Sequence, residues 1–278
     1  MENLTEAKIR ELKTIANNIR ISIIEMLFEA KSGHTAGALG MADIFTLLYF
    51  NIIKHNPKDP FWGNRDRLVL SNGHICPVLY ATMAHAGYLP IIELKTLRKF
   101  GSRLQGHPHR EFMPWLETSS GPLGSGLSEA VGMAIADKID GQTKTIYAIL
   151  SDGEHDEGNI WEAIMLANKE KLSNLIVIVD RNNIQISGKT EKVMPLGDLG
   201  EKYKNFNWFV QEVGGHDFWE INNAIYNAKG NKNSPSVIIA NTIPGKGIKV
   251  WENDYKWHGK APNKNEAEMA LKELATNH

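Results

Sequence analysis

The chain has 278 residues, 42% of them hydrophobic and 23% charged, with a formal net charge of −1 and one cysteine, Cys76. This balance gives no electrostatic case for nucleic acid or an anionic membrane, and a lone cysteine excludes an internal disulfide and a multi-cysteine zinc site. No apolar run approaches the ~20 residues needed to span a bilayer, and residues 1–30 read as a charged amphipathic helix rather than a signal peptide, so a cytoplasmic protein is expected.

In chain order, helices are predicted over 5–30 and 42–53, separated by the glycine-rich stretch Ser32-Gly33-His34-Thr35-Ala36-Gly37. A short strand over 67–70 runs into Ser71-Asn72-Gly73-His74 and a helix over 77–86. Turn-forming residues follow, including Gln105-Gly106-His107-Pro108 and Ser120-Gly121-Pro122-Leu123-Gly124, and then a helix over 128–138. The apolar runs 145–150 and 175–180 read as strands buried on both faces, joined by a crossover helix over 160–171. Further strands are predicted over 208–213 and 236–240, with helices over 218–228 and 266–275. Strands alternating with helices from 68 to 240 indicate an α/β fold, a doubly wound, mostly parallel sheet with helices on both faces. With no repeat and no linker, residues 1–278 form one domain in this reading.

The junctions after the two central runs carry the most chemistry. Ser151-Asp152-Gly153-Glu154-His155-Asp156-Glu157-Gly158 follows the first, and Asn182-Asn183-Ile184 follows the second. Asp152 and Asn182 are therefore expected at the carboxyl ends of neighbouring strands, where open α/β sheets bind ligands. A carboxylate and an amide oxygen there suit Mg²⁺, a hard cation that keeps positions open for phosphate and water. Gly153 allows a diphosphate to approach the backbone. Asp-Gly by itself is also an ordinary strand-end turn. Four histidines, His34, His74, His107 and His258, lie in loops beside glycine. Neutral imidazole can donate and accept a proton near pH 7, which suits a polyol substrate, although any one of them alone reads equally as a surface or capping residue.

The Asp152-Gly153 pair, with Asn182 thirty positions after Asp152, resembles the thiamine-diphosphate fingerprint, with Ser151 in place of its first glycine. Arg65-Asp66-Arg67, Leu70-Ser71-Asn72-Gly73-His74, and the stretch from Thr118 to Ser128 resemble successive blocks of the transketolase family, over about residues 9–262. The resemblance covers the amino-terminal, diphosphate-binding half of such an enzyme. It implies thiamine diphosphate and Mg²⁺ (or Ca²⁺ or Mn²⁺) as cofactors. Asp152 and Asn182 would be side-chain metal ligands, and Ile184 would supply its carbonyl. The same resemblance places His74, Gly121, Pro122, Leu123, Gly153, Glu154 and His258 at the cofactor. His34, His107 and His258 would face the hydroxyls of the ketose donor or aldose acceptor. Glu157 would join two active sites across a dimer, though it also reads as an acid in the first turn of the next helix. Where the family usually has glycine two residues after the first histidine, this chain has Ala36, which leaves the His34 loop open to another path.

Only twenty residues follow His258, too few for a pyrimidine-binding domain. The expected protein is thus the amino-terminal subunit of a split transketolase that moves a two-carbon ketol unit between sugars or sugar phosphates. Its partner would be a carboxy-terminal subunit with the catalytic glutamate, in a heterotetramer containing a dimer of this chain. Competing readings are a related enzyme acting on an unusual sugar, a non-catalytic regulatory half, and a nucleotide-binding oxidoreductase. The last would rest on Gly124-Ser125-Gly126, which has Glu129 where a third glycine belongs and no strand leading into it. Gly245-Lys246-Gly247 lacks the ending of a phosphate-binding loop.

Overall fold

The computed structural model describes residues 4–276. Its strands, in chain order, are β1 (Arg67–Leu70), β2 (Ile146–Ser151), β3 (Leu175–Arg181), β4 (Ile184–Gln185), β5 (Gly188–Lys189), β6 (Phe209–Gly214) and β7 (Ser236–Asn241). Five of them form one parallel sheet in the order β1-β2-β3-β7-β6, while β4 and β5 pair as a small antiparallel hairpin. The helices are α1 (Glu6–Ala30), α2 (Ala36–Gly40), α3 (Ala42–Leu47), α4 (Cys76–His85), α5 (Ser125–Ile139), α6 (Gly158–Lys169), α7 (Thr190–Val193), α8 (Leu199–Asn205), α9 (Phe218–Gly230) and α10 (Lys264–Thr276).

The continuous apolar runs of β2 and β3 are buried because helices cover both faces of the sheet. Side chains alternate along a strand, so the sheet divides the interior into two cores. Tyr147, Ile149, Ile176, Ile178 and Ile238 pack with residues of α1, α3, α4 and α9. Ala148, Leu150, Val177, Val179 and Val237 pack on the other side against α5 and α6. The register Ile146↔Leu175 through Ser151↔Asp180 brings the ends of β2 and β3 level. That register is what places Asp152 beside the residues after β3.

Several boundaries differ from the expectations. The helix expected over 42–53 ends at Leu47 and continues as one wide turn over Leu48–Ile52. The chain then leaves because the Lys54 amide donates to the buried Asp66 carboxylate at 2.9 Å. Helix α5 starts three residues early, at Ser125, since Gly124 takes a left-handed φ of +83° that turns the loop into the helix. The hairpin β4–β5 and the short helices α7 and α8 have no counterpart among the predicted elements. They are too short to show a hydrophobic period. Among the described residues, no helix is long and apolar enough to cross a membrane.

Candidate functional site

At the carboxyl edge of the sheet, Asp152 is fully buried directly after β2. Its Oδ1 accepts from the Gly153 amide at 2.7 Å. Its Oδ2 accepts from the Asn183 amide at 2.7 Å, and from Thr190 Oγ1 and Arg181 Nη1, both at 3.3 Å. Asn183 reaches the carboxylate because it adopts φ +61°, a region asparagine tolerates better than most residues. Asn182 donates from Nδ2 to Asp180 Oδ2 at 2.7 Å, while its Oδ1 accepts from the Ile184 amide at 3.0 Å. Thr242, at the end of β7, donates to Asp180 Oδ1. Burial pushes the Asp152 carboxyl up to about 6, against the opposing pull of Arg181. Burial also pushes Asp180 up to about 7, with the Asp152 charge adding to it.

This corner fits a divalent cation. A carboxylate, an amide oxygen and the adjacent Ile184 carbonyl make a hard oxygen set, and Asp152 Oδ1 spends only one hydrogen bond on the protein. Arg181 holds the other oxygen and is itself anchored by Glu191 at 2.7 Å, so it restrains the carboxylate from the far side. His155 takes no part. It is buried, donates from Nδ1 to the Ser151 carbonyl at 2.9 Å, and accepts from the Tyr203 hydroxyl through Nε2 at 2.9 Å. Among the described residues, no group of three or more His, Cys, Asp or Glu could hold a metal.

Beside the corner opens a cavity of about 360 Å³, lined by all four loop histidines together with Gly121, Leu123, Gly153, Glu154 and Ile184. The rings of His34, His74 and His258 form a triangle with centroid separations of 4.9, 5.5 and 5.2 Å. Different elements bring them there. His74 lies in a tight turn between β1 and α4. His34 precedes α2, and Thr35 Oγ1 donates to the Lys260 carbonyl at 2.5 Å, tying that loop to the His258 segment. His258 follows Trp257, which stacks on Trp251 at 3.8 Å. The His107 loop is pinned through Ser120, whose amide donates to the Pro108 carbonyl at 2.9 Å and whose hydroxyl donates to the Leu70 carbonyl at 2.5 Å. Burial lowers His34 to about 4, with His258 and Arg98 adding to the effect. His74, His107 and His258 are also lowered, chiefly by burial. All four rings are therefore neutral near pH 7, able both to donate and to accept a proton. His34 Nδ1 is buried without a partner. A buried polar atom without a partner is uncommon in a folded protein, and this one belongs to a ring that lines the cavity.

The remaining candidates divide. Ala36 is accommodated: it opens α2, is fully buried, and its carbonyl accepts from the Gly245 amide at 2.8 Å. Its methyl group thus leaves His34 in the cluster. Gly153 makes room for a protein side chain, since a Cβ there would lie 2.8 Å from Gln185 Cγ. Glu154 is fully buried, and its carboxylate accepts from Ser71 Oγ at 2.5 Å, the Gly124 amide at 2.6 Å and the Ser151 amide at 3.2 Å. It joins the ends of β1 and β2 to the start of α5. Pro122 is exposed between Gly121 and Leu123, and its carbonyl accepts from Ser125 Oγ at 2.7 Å. Glu157 is exposed at the start of α6, outside the cavity lining. Asp180, Thr190, Thr242 and Arg98 are supports that sequence reasoning misses. Of these only Asp180, a charge inside an apolar run, carries any local signal. The segment entering Gly124 is a loop, which removes the strand a dinucleotide site would need.

A parallel α/β sheet with a buried acid–amide corner and a histidine-lined cavity at its carboxyl edge defines a ligand-binding α/β domain. Residues 11–278 match the family described as "Transketolase, thiamine diphosphate binding domain". The chain belongs to the transketolase family. It is 42% identical over 248 residues to the 6-deoxy-6-sulfo-D-fructose transketolase subunit SqwG of Clostridium sp. (strain MSTE9), covering 89% of this chain and 90% of that one. It is 38% identical to an apulose-4-phosphate transketolase subunit of Phocaeicola vulgatus, covering 95% of this chain and 93% of that one. The crystal structure of transketolase from Campylobacter jejuni superposes with a TM-score of 0.90 at 36% identity, covering 96% of this chain but 43% of that one. The chain thus spans less than half the length of that solved transketolase.

Proposed function

We propose that this chain is the diphosphate-binding subunit of a two-chain transketolase that moves a two-carbon ketol unit from a ketose or ketose-phosphate donor to an aldose acceptor. A second polypeptide would supply the pyrimidine-binding domain and its catalytic glutamate, in a cytoplasmic heterotetramer built on a dimer of this chain. The observation carrying this reading is the gathering of four neutral histidines in one cavity beside the Asp152–Asn182 corner. The near-complete coverage of relatives named as transketolase subunits supports the two-chain form.

In this reading Asp152, Asn182 and the Ile184 carbonyl hold Mg²⁺, with Ca²⁺ or Mn²⁺ able to substitute. His74 and His258 face the diphosphate. Gly121, Pro122 and Leu123 would contact the thiamine moiety, and Gly153 and Glu154 would hold the loop that carries Asp152 at the cofactor. Bound thiamine diphosphate supplies the carbanion chemistry that breaks and makes the carbon–carbon bond. His34, His107 and His258 orient sugar hydroxyls and hold or pass protons at their ring nitrogens. Glu157, exposed at the start of α6, would meet the second copy of this chain across the dimer. The two subunit relatives are named for 6-deoxy-6-sulfo-D-fructose and apulose-4-phosphate, so the substrate is drawn from sugars with an anionic group.

Mixing the purified chain with its partner subunit, thiamine diphosphate and Mg²⁺ should give ketol transfer that neither chain supports alone. Robust transfer by this chain alone, or binding of NAD in preference to thiamine diphosphate, would overturn the proposal.

A further inference from the structure

We propose that Arg98 is a positioning residue that sets the separation of His34 and His107. Arg98 lies outside the thiamine-diphosphate fingerprint and the family blocks, yet it is held in an unfavourable conformation. Its φ is +58°, a left-handed value that costs a side-chain-bearing residue energy and persists only when the surroundings impose it. The backbone is locked there by its amide, which donates to the Leu104 carbonyl at 2.9 Å. The conformation sends the guanidinium between two loops. Nη1 donates to Ser32 Oγ at 2.9 Å, two residues before His34. Nη2 donates to the carbonyl of Gly106 at 3.3 Å, immediately before His107.

The glycine of the His107 loop makes this bridge possible. A Cβ on Gly106 would lie 2.9 Å from the Arg98 Cζ, so any other residue would push the guanidinium out. The neighbouring cations are used differently: Lys99 pairs with Glu29 and Arg103 with Glu93. Among the described residues Arg98 has no carboxylate partner, and its planar fork is spent on a hydroxyl and a carbonyl from two separate loops. An arginine can hold two such acceptors in one plane, whereas a lysine ammonium cannot reproduce the fork. On its other side the His34 loop is fastened to the His258 segment through Thr35 and Lys260. Arg98, exposed and outside the cavity lining, ties the other side of the His34 loop to the His107 loop, so the spacing of His34 and His107 follows from its geometry.

The consequence for catalysis rests on the transketolase reading above, because only there do the two histidines share a sugar. Two measurements separate that reading from the bridge itself. In the reconstituted two-chain enzyme, Arg98→Lys should lower kcat/KM for the sugars by about tenfold or more, as expected when reacting groups are misplaced. Thiamine diphosphate affinity should stay within about twofold, and adding Ser32→Ala should cost nothing further, since both changes cut one tie. Full activity in Arg98→Lys, additive losses in the double variant, or a parallel fall in cofactor affinity would overturn the proposal. In the chain alone, the ring-proton NMR signals of His34 and His107 should move in both Arg98→Lys and Ser32→Ala, while those of His155 stay in place. Unmoved His34 and His107 signals refute the bridge even if the wild-type pair transfers nothing.

Discussion

The two halves of the site differ in how much of their chemistry the protein has already used. In the Asp152–Asn182–Asp180 corner, every side-chain oxygen has a donor from the protein. In the histidine cavity, none of the four rings has a protein hydrogen bond among the described residues, and His34 Nδ1 is buried without one. A satisfied buried network is rigid, and removing any member leaves the others unpaired. An unsatisfied wall costs stability when empty and recovers it when a ligand arrives. In the proposed reading the corner is a pre-formed socket for an ion, and the cavity keeps its donors and acceptors for a substrate that comes and goes.

Cutting the socket should give the largest effect. In Asp152→Ala, cofactor affinity measured by calorimetry with Mg²⁺ should fall by more than about 100-fold, the upper end of what losing even a supporting partner costs. Thermal stability should also drop, because the Asn183 amide and Thr190 hydroxyl lose their acceptor. Removing a wall residue should behave differently. In His107→Ala, kcat/KM of the reconstituted enzyme should fall about 10- to 100-fold, as expected for one hydrogen bond to a substrate hydroxyl. Melting temperature and cofactor affinity should be unchanged. Equal losses of affinity and turnover in both variants would erase the distinction between socket and wall.

The socket is more legible in the sequence than its supports. Asp152 and Asn182 can be placed because long apolar runs precede them and read as neighbouring parallel strands, whose carboxyl ends share one edge of the sheet. The histidines show themselves through flanking glycines. Asp180 and Thr242 cannot be paired in advance, since they lie 62 positions apart and meet only because β7 inserts beside β3. That strand order reverses the sequence order of β6 and β7, which no local pattern encodes. Glu154 stands beside the fingerprint, yet its link to Ser71 spans 83 positions. Arg98 leaves no trace because a left-handed arginine in a turn-rich segment has no compositional mark.

His155 sharpens the comparison, because it is a histidine that belongs to the socket half. It lies within the fingerprint loop, yet both its ring nitrogens are used by Ser151 and Tyr203, which makes it a strut under β2 rather than a ligand. Burial lowers it from an ordinary 6.5 to about 4. The unfolded chain therefore binds a proton below about 6.5 that the folded chain refuses until about 4, so the wild type loses stability as pH falls through that window. Other buried groups titrate in the same range, and comparison with His155→Asn removes them. At pH 7.5 the wild type should be more stable than the variant by about 1–3 kcal/mol, the cost of leaving the Tyr203 hydroxyl and Ser151 carbonyl unpaired. By pH 5.5 that gap should narrow by about 1 kcal/mol, one unit of proton linkage. Urea titrations at the two pH values measure it. A gap independent of pH would mean that His155 titrates alike in the folded and unfolded chain, and a gap that widened toward pH 5.5 would mean that it is charged in the fold.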